Sequence, residues 1–149
     1  MPSVASLQAQ EYYAHPRNAF WSLMEALLGI ERTLPYVDRS EALVRHDVAV
    51  WDVLASCERP GSLDASIDPA SVTPNDLAGL LAAYPSIKHL FFNGQMAETV
   101  FRRHQSGSLG DKAETLECSR LPSTSPANAS WSFERKLDAW QQVADALAL

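Results

Sequence analysis

The sequence predicts an α/β fold, an open parallel β-sheet with helices on both faces. Three short apolar runs alternate with segments of helical periodicity, and these runs are Val48–Leu54, Ile87–Asn93 and Thr115–Leu121. Strands that alternate with helices are typical of parallel sheets, because each parallel connection needs a crossover. We therefore expect three parallel strands.

Five helices are predicted from apolar residues at helical spacing and from capping residues. The first is Ala19–Leu28, which Gly29 ends, and the second starts with a capping box at Asp38–Glu41 and runs through Arg45. The third begins at Thr73–Asn75 and is expected to bury Leu77, Leu80, Leu81 and Tyr84, and the fourth is Met96–His104. The last is capped by Ser132 and has one apolar stripe of Phe133, Leu137, Trp140 and Leu147. Gln105–Lys112 is predicted to be a flexible linker.

The length of 149 residues predicts one domain spanning residues 1–149. No apolar run approaches the roughly 18 residues of a membrane span, and no signal peptide is recognisable, so we expect a cytoplasmic protein without a membrane partner. Cys57 and Cys118 are predicted to be reduced and buried. The four histidines show no metal-ligand spacing, and we expect neither a metal nor a cofactor.

The net charge of −6 argues against binding nucleic acid mainly through phosphate neutralisation. An enzyme that binds a single nucleotide can nevertheless be acidic overall, with a few basic side chains close to the nucleotide. Candidate cations are Arg17, Arg59, Arg102, Arg103 and Arg120, each of which is also explained as a solvated surface charge. Composition alone leaves the partner open.

The segment Tyr12–Trp21, YYAHPRNAFW, concentrates four aromatic rings, an arginine and an amide before the first helix. Pro16 pushes His15 out of the α region, so we expect an extended arm that presents the two tyrosines. Asn18 suits a helix N-cap, whose side-chain oxygen accepts a backbone N–H. The residues fit either a pocket floor for a flat polar ring or a capped helix whose aromatics enter the core.

Two loops are predicted to follow strands. Ala55–Asp64, ASCERPGSLD, lies at the carboxyl end of the first strand, where open α/β sheets bind their ligands. Leu121–Asn128 carries three hydroxyls between two prolines, and hydroxyls on a stiff loop can donate to phosphate oxygens. An ordinary surface loop is the alternative explanation of such a Ser/Pro segment.

Together, YYAHPRNAFW, WDVLASCERPGSLD and LPSTSPANA resemble segments of the DNA-deoxyinosine (hypoxanthine-DNA) glycosylases, relatives of the mismatch-specific uracil-DNA glycosylases in the uracil-DNA glycosylase superfamily. The resemblance runs along nearly the whole chain in the same order. It implies a uracil-DNA glycosylase-like fold and a monofunctional enzyme of base excision repair. The implied substrate is damaged DNA that contains deoxyinosine, with uracil as a second candidate, and the implied state is a monomer.

The resemblance also implies which residues act on the base. Asn18 matches the asparagine of the family's HPxN segment and is the implied catalytic residue. An amide is no general base, so it would position water. Tyr13 stands where the mismatch branch has its stacking phenylalanine, and Phe20 is grouped with it as base-binding. Asp52 is either a partner for the purine edge or a structural carboxylate.

In the second motif, the resemblance implies that Ser123, Thr124 and Ser125 lie at the phosphates that flank the lesion. Ala127 and Asn128 would stand where relatives insert a wedge into the duplex, and Ala127 is a small wedge. Met1-Pro2 resembles the end of the family's first motif, without the strand before it. We therefore expect a shortened gene and a sheet that lacks its first, central strand.

Three other functions remain open. A mismatch-specific uracil-DNA glycosylase is the nearest, although Met1 stands where that branch has its asparagine. A non-catalytic nucleic-acid-binding remnant of the fold is the second. An unrelated α/β hydrolase using Ser123 or Ser125 is the third, and it lacks a GxSxG elbow.

Overall fold

The computed structural model describes residues 1–60 and 63–148. They form two compact units. The sheet unit comprises Met1 and the described residues of Asp52–Leu121; the helical unit comprises Pro2–Trp51 and the described residues from Pro122 onward. The single domain over residues 1–149 stays a prediction.

The described residues begin with three helices, and short strands interspersed with helices follow. In chain order, the elements are α1 Val4–Ala9, α2 Phe20–Leu28, α3 Tyr36–Arg45, β1 Leu54–Ser56, β2 Thr73–Pro74, α4 Leu77–Ala83, β3 His89–Asn93, α5 Gln95–His104, α6 Lys112–Thr115, β4 Glu117–Leu121 and α7 Phe133–Leu147. None of these helices is long and apolar enough to cross a membrane.

Parallel pairing in the sheet unit confirms the predicted α/β character. Strand β3 pairs with β4 in parallel, in register from His89 opposite Glu117 to Asn93 opposite Leu121. Helix α5 follows β3 after a single residue, Gly94, whose φ of 96° is unfavourable for a side chain. The core of this unit consists of buried residues from its helices and strands, namely Leu77, Leu81, Phe92, Phe101 and Leu116.

The strand predicted at Val48–Leu54 is wrong in extent and pairing. Regular strand begins only at Leu54, and Trp51 is 49% exposed, so the run is not buried on both faces. Strand β1 pairs antiparallel with β2, where Leu54 lies opposite Pro74. A proline cannot donate to a ladder, which keeps this pairing short. The vacant central position of the sheet stays a prediction.

Three other element boundaries also differ from the predictions. Helix α3 begins at Tyr36 after Pro35, with no side-chain cap, rather than at the capping box. Helix α4 begins later than predicted, because Oδ1 of Asp76 accepts the backbone N–H of Gly79 at 2.9 Å. Tyr84 follows the last residue of α4 and is 58% exposed, so it does not belong to the buried face.

The predicted linker and the predicted thiols also differ from the structure. The segment Gln105–Lys112 contains a 3-10 turn and the start of α6, and Gln105 itself is buried. Cys118 is exposed and Cys57 is half-buried, so neither is a core residue. In the loop Ala55–Asp64, Gly61 and Ser62 lie outside the described residues.

The helical unit is organised by the packing of α2 against α7. Leu23 and Met24 of α2 are fully buried. Gly29 ends α2 in the left-handed region, as predicted, and its N–H donates to the Glu25 carbonyl. The predicted cap of α7 is confirmed, since the hydroxyl of Ser132 accepts the backbone N–H of Arg135 at 3.3 Å. This helix pair carries the segments described next.

Candidate functional site

A pocket of about 210 Å³ opens within the helical unit. This volume lies below the roughly 300–1,000 Å³ of sites for drug-sized ligands, so it suits a small ring system. Its lining includes the aromatic, amide and cationic side chains Tyr13, His15, Asn18, Trp21, Arg32 and Arg39. The segment Tyr12–Trp21 therefore supplies most of a concave surface rather than only a helix entry.

Asn18 is held by its own backbone neighbours. Its N–H donates to the His15 carbonyl at 2.9 Å, and its Oδ1 accepts the N–H of Phe20 at 3.0 Å. The helix is assigned from Phe20 with Ala19 at the cap, one residue later than predicted, yet the Asn18 side chain still satisfies a first-turn N–H. In the described part of the chain, Nδ2 of Asn18 makes no hydrogen bond, so it remains a donor beside the pocket.

The two tyrosines form a turn instead of the expected extended arm. Tyr13 adopts a φ of 56°, a left-handed conformation that costs a bulky residue about 1–3 kcal/mol. The N–H of Tyr12 donates to the Tyr36 hydroxyl at 3.2 Å, and its carbonyl accepts Nε1–H of Trp21 at 3.1 Å. These contacts hold the turn, and the strained backbone sets the ring of Tyr13 at the pocket.

A cluster of aromatic rings supports Tyr13 from behind. Its ring stacks on Phe20 with the centroids 4.1 Å apart and the planes at 26°. Phe20 in turn makes edge contacts with Trp21 and Trp140, at 5.1 and 6.0 Å. Phe20 is only 4% exposed, so in this arrangement it backs the ring that faces the pocket. Direct contact of Phe20 with a base stays a prediction.

The hydroxyl loop Pro122–Asn128 is held by its own side chains. The Ser123 hydroxyl accepts the N–H of Ser125, and the Ser125 hydroxyl accepts the N–H of Ala127, both at 3.2 Å. The amide of Asn128 closes the loop by donating to the Ser123 carbonyl at 3.1 Å. Each serine accepts within the loop, so its hydroxyl hydrogen can still donate to an anion.

Thr124 joins this loop to the start of α2. Its carbonyl accepts the N–H of Ala19 at 3.0 Å, and Thr124 is 1% exposed. Contact of Thr124 with DNA would therefore require the loop to move. The contacts predicted for Ser123, Ser125, Ala127 and Asn128 stay predictions. The Trp140 indole anchors the same loop by donating to the Pro122 carbonyl at 2.9 Å.

Two proteins from Methanosarcina species resemble this chain in sequence. It is 31% identical over 147 residues to a hypoxanthine DNA glycosylase of Methanosarcina acetivorans, a match that covers 96% of this chain and 85% of that protein. A hypoxanthine DNA glycosylase of Methanosarcina barkeri is 32% identical over 96 residues, 64% of this chain and 60% of that protein. No protein-family model matches the chain.

A solved structure agrees with these relatives. The solution NMR structure of a candidate uracil DNA glycosylase from Methanosarcina acetivorans aligns with a TM-score of 0.78 at 30% identity. The alignment covers 99% of this chain and 86% of that chain. The chain belongs to the hypoxanthine DNA glycosylase family. Its fold is accordingly that of the uracil-DNA glycosylase superfamily, as the sequence motifs predicted.

Of the family positions predicted to act on the base, Tyr13, Asn18 and Phe20 lie together in the helical unit. Asp52 belongs to the sheet unit, where its carbonyl accepts Nδ2–H of Asn75 at 2.6 Å. That bond uses the backbone, so the assignment of the Asp52 carboxylate to a base or to a structural role stays a prediction.

Arg39 and Arg32 line the pocket but were not predicted from the sequence. Arg39 was assigned to a capping box, and the early start of α3 instead brings it beside Trp21, 4.4 Å from that ring. A cation one turn into a helix, downstream of an aromatic motif, is too common a pattern to signal a site. These residues are separated in sequence, so the sequence does not show that they lie close together in the structure.

Three basic residues outside the pocket are paired with a carboxylate or desolvated. Arg102 and Arg120 both pair with Glu98 in the sheet unit, at 2.8 and 3.4 Å. Burial in α7 lowers the pKa of Lys136. Among residues 1–60 and 63–148, no three potential ligands come together to hold a metal ion, and independence from metal stays a prediction.

The loop anchor gives a stability prediction. Trp140→Phe keeps an aromatic ring near Phe20 but removes the donor to Pro122 and part of a buried ring, so we expect unfolding free energy to fall by at least about 0.5–1.5 kcal/mol. Urea denaturation followed by circular dichroism measures this change. The control is Trp51→Phe at a residue that is 49% exposed, with an expected change within about 0.5 kcal/mol. Equal losses in both variants would show that the indole hydrogen bond does not anchor the loop.

Proposed function

We propose that this protein is a monofunctional DNA glycosylase that hydrolyses the N-glycosidic bond of deoxyinosine in DNA and releases hypoxanthine. The observation that carries the proposal is Asn18, whose Oδ1 is oriented by the Phe20 N–H in a pocket beside the ring of Tyr13. Membership of the hypoxanthine DNA glycosylase family supports the same substrate.

Excision begins with removal of the damaged nucleotide from the base stack, at a cost of about a few kcal/mol. Stacking of the extruded base on Tyr13 in the pocket offsets part of this free-energy cost. The ring of Tyr13 is backed by Phe20 at 4.1 Å and is fixed by a strained backbone, so little conformational freedom is lost when a base arrives. This arrangement favours a flat ring system as ligand.

Cleavage then proceeds through an oxocarbenium-like sugar. The bond between C1′ and N9 breaks with its electron pair going to the purine. Water adds its hydroxyl group to C1′, and the remaining proton goes to the departing base. Oδ1 of Asn18 has a second lone pair that can accept a hydrogen bond from this water. Asn18 therefore orients the nucleophile without deprotonating it, and a slow enzyme is expected.

Neutral hydrogen-bond donors, rather than cations, bind the DNA backbone. The hydroxyl hydrogens of Ser123 and Ser125 can donate to phosphate oxygens, and the loop that carries them is already ordered. This mode fits a chain with a net charge of −6 better than broad phosphate neutralisation does. We also propose that the enzyme acts as a cytoplasmic monomer without a metal or cofactor.

Substrate preference is the first test of this proposal. We expect single-turnover release of hypoxanthine from deoxyinosine DNA to be faster than release of uracil from matched DNA. The reason is that Met1 stands where the mismatch branch has an asparagine, and a thioether cannot orient water. Base release is measured by chromatography on matched single- and double-stranded oligonucleotides. Faster uracil release from both would favour a mismatch-specific uracil-DNA glycosylase.

Replacement of Asn18 separates catalysis from capping. Asn18→Ala removes the water-orienting amide, and we expect hypoxanthine release to slow on the order of 10²–10³-fold, as for loss of one oriented polar group. It also removes the contact with the Phe20 N–H, which costs about 0.5–2 kcal/mol of stability. Both effects are measured on the same preparation, by single-turnover kinetics and by thermal melting.

The matched control for this experiment is Asn18→Asp. Aspartate caps about as well as asparagine, so this variant should melt like the wild type. DNA binding by Asn18→Ala should largely persist, because the loop Pro122–Asn128 is unchanged. Near-wild-type cleavage by Asn18→Ala, together with a lowered melting temperature, would reduce Asn18 to a capping residue.

A further inference from the structure

Arg39 lies at the pocket with its guanidinium plane fixed by three contacts. Its Nε–H donates to the Leu34 carbonyl at 3.0 Å. The central guanidinium carbon lies 4.4 Å from the ring centre of Trp21 and 5.6 Å from that of Tyr36. Such stacking is worth about 0.5–2 kcal/mol and costs the group little of its hydrogen-bonding capacity.

The terminal nitrogens of Arg39 differ from the side chains of Arg32 and Arg45 in the helical unit, which form ion pairs. Arg32, which also lines the pocket, pairs with Glu25 at 3.3 Å and donates to Ser22 at 3.1 Å. Arg45, on the same helix as Arg39, pairs with Glu41 at 3.7 Å. Within the described part of the chain, Nη1 and Nη2 of Arg39 have neither an acceptor nor a carboxylate partner. A half-buried fork of donors therefore lines a pocket whose other lining residues include Glu11 and Arg32 besides the aromatic and amide side chains.

We propose that Arg39 is the specificity-determining residue of this pocket and donates from its two terminal nitrogens to O6 and N7 of a 6-keto purine. This inference rests on the proposed excision of hypoxanthine and adds the group that recognises the base. The fork of an arginine matches two adjacent acceptors, which is how arginine reads the O6/N7 edge of guanine. Hypoxanthine presents the same two acceptors on that edge.

The same geometry rejects adenine, the undamaged parent base. Adenine carries an amino group at position 6, whose hydrogens would face the hydrogens of the guanidinium. A purine without any group at position 6 would leave one donor unpaired. Arg39 therefore distinguishes the deaminated base by the oxygen that deamination introduces. Its positive charge also favours departure of the base, because the electron pair left by the broken bond is partly delocalised toward O6 and N7.

A duplex with 2′-deoxynebularine, a purine nucleoside that lacks the 6-oxygen, provides the test. Single-turnover release is measured from this duplex and from a matched deoxyinosine duplex, for wild type, Arg39→Gln and Arg39→Lys. In wild type we expect hypoxanthine to leave faster than the unsubstituted purine. In Arg39→Gln the ratio of the two rates should fall about 10- to 100-fold, the range expected for loss of a bidentate base contact.

Arg39→Lys keeps the charge and a cation over Trp21 but loses the fork, so its rate ratio should also fall at least about 5-fold. The control is Arg45→Gln on the same helix, which should leave the ratio unchanged. Thermal melting checks that each variant is folded. A ratio that moves in a folded variant cannot come from a purely structural role, because both substrates use the same scaffold.

Three results would overturn the inference. If Arg39→Gln slows both substrates equally and weakens binding of an undamaged duplex, Arg39 contacts a phosphate. If the variant leaves both rates unchanged, Arg39 is a surface cation that only stacks on Trp21. If wild type releases no hypoxanthine at all, the proposed function fails, and the base-reading role fails with it.

Discussion

The hydrogen bond from the Ala19 N–H to the Thr124 carbonyl joins the two segments that the site needs. Asn18 precedes this donor in sequence, and Ser123 and Ser125 flank the acceptor, so one bond sets the amide relative to the hydroxyls. Thr124 is 1% exposed, which keeps water from competing for the carbonyl. The Trp140 indole holds Pro122 of the same loop from α7. Together with the contact of Phe20 with Trp140, these bonds join the pocket to the hydroxyl loop.

The aromatic cluster makes the pocket stiff at a local energetic cost. Tyr13 is held in a left-handed backbone conformation, which is unfavourable for a bulky side chain. Its stacking on Phe20, together with burial of Phe20 against Trp21 and Trp140, offsets that strain. Strained residues of this kind occur at ligand sites because a preorganised ring loses less conformational entropy on binding. Arg39 extends the cluster from α3 and adds a cation that stacks on Trp21.

Local periodicity and capping predicted the long helices, because these depend on near neighbours along the chain. The alternation of strands with helices predicted the parallel pair β3–β4. The first strand was predicted with the wrong extent and pairing, because Pro74 limits it to a short antiparallel contact that the apolar run at Val48–Leu54 does not reveal. The candidate site was predictable where a contiguous motif carries it, as at Tyr13 and Asn18. Arg39 was not, because its place beside Trp21 depends on how α3 packs.

The central claim is that the pocket at Asn18 receives the damaged base, and side-chain NMR tests it most directly. The probe is a duplex with a 2′-fluorinated deoxyinosine, whose N-glycosidic bond resists cleavage. The account predicts that this duplex shifts the Nδ2 amide signals of Asn18, while an undamaged duplex of the same sequence leaves them in place. Equal shifts with both duplexes, or none with either, would contradict the account.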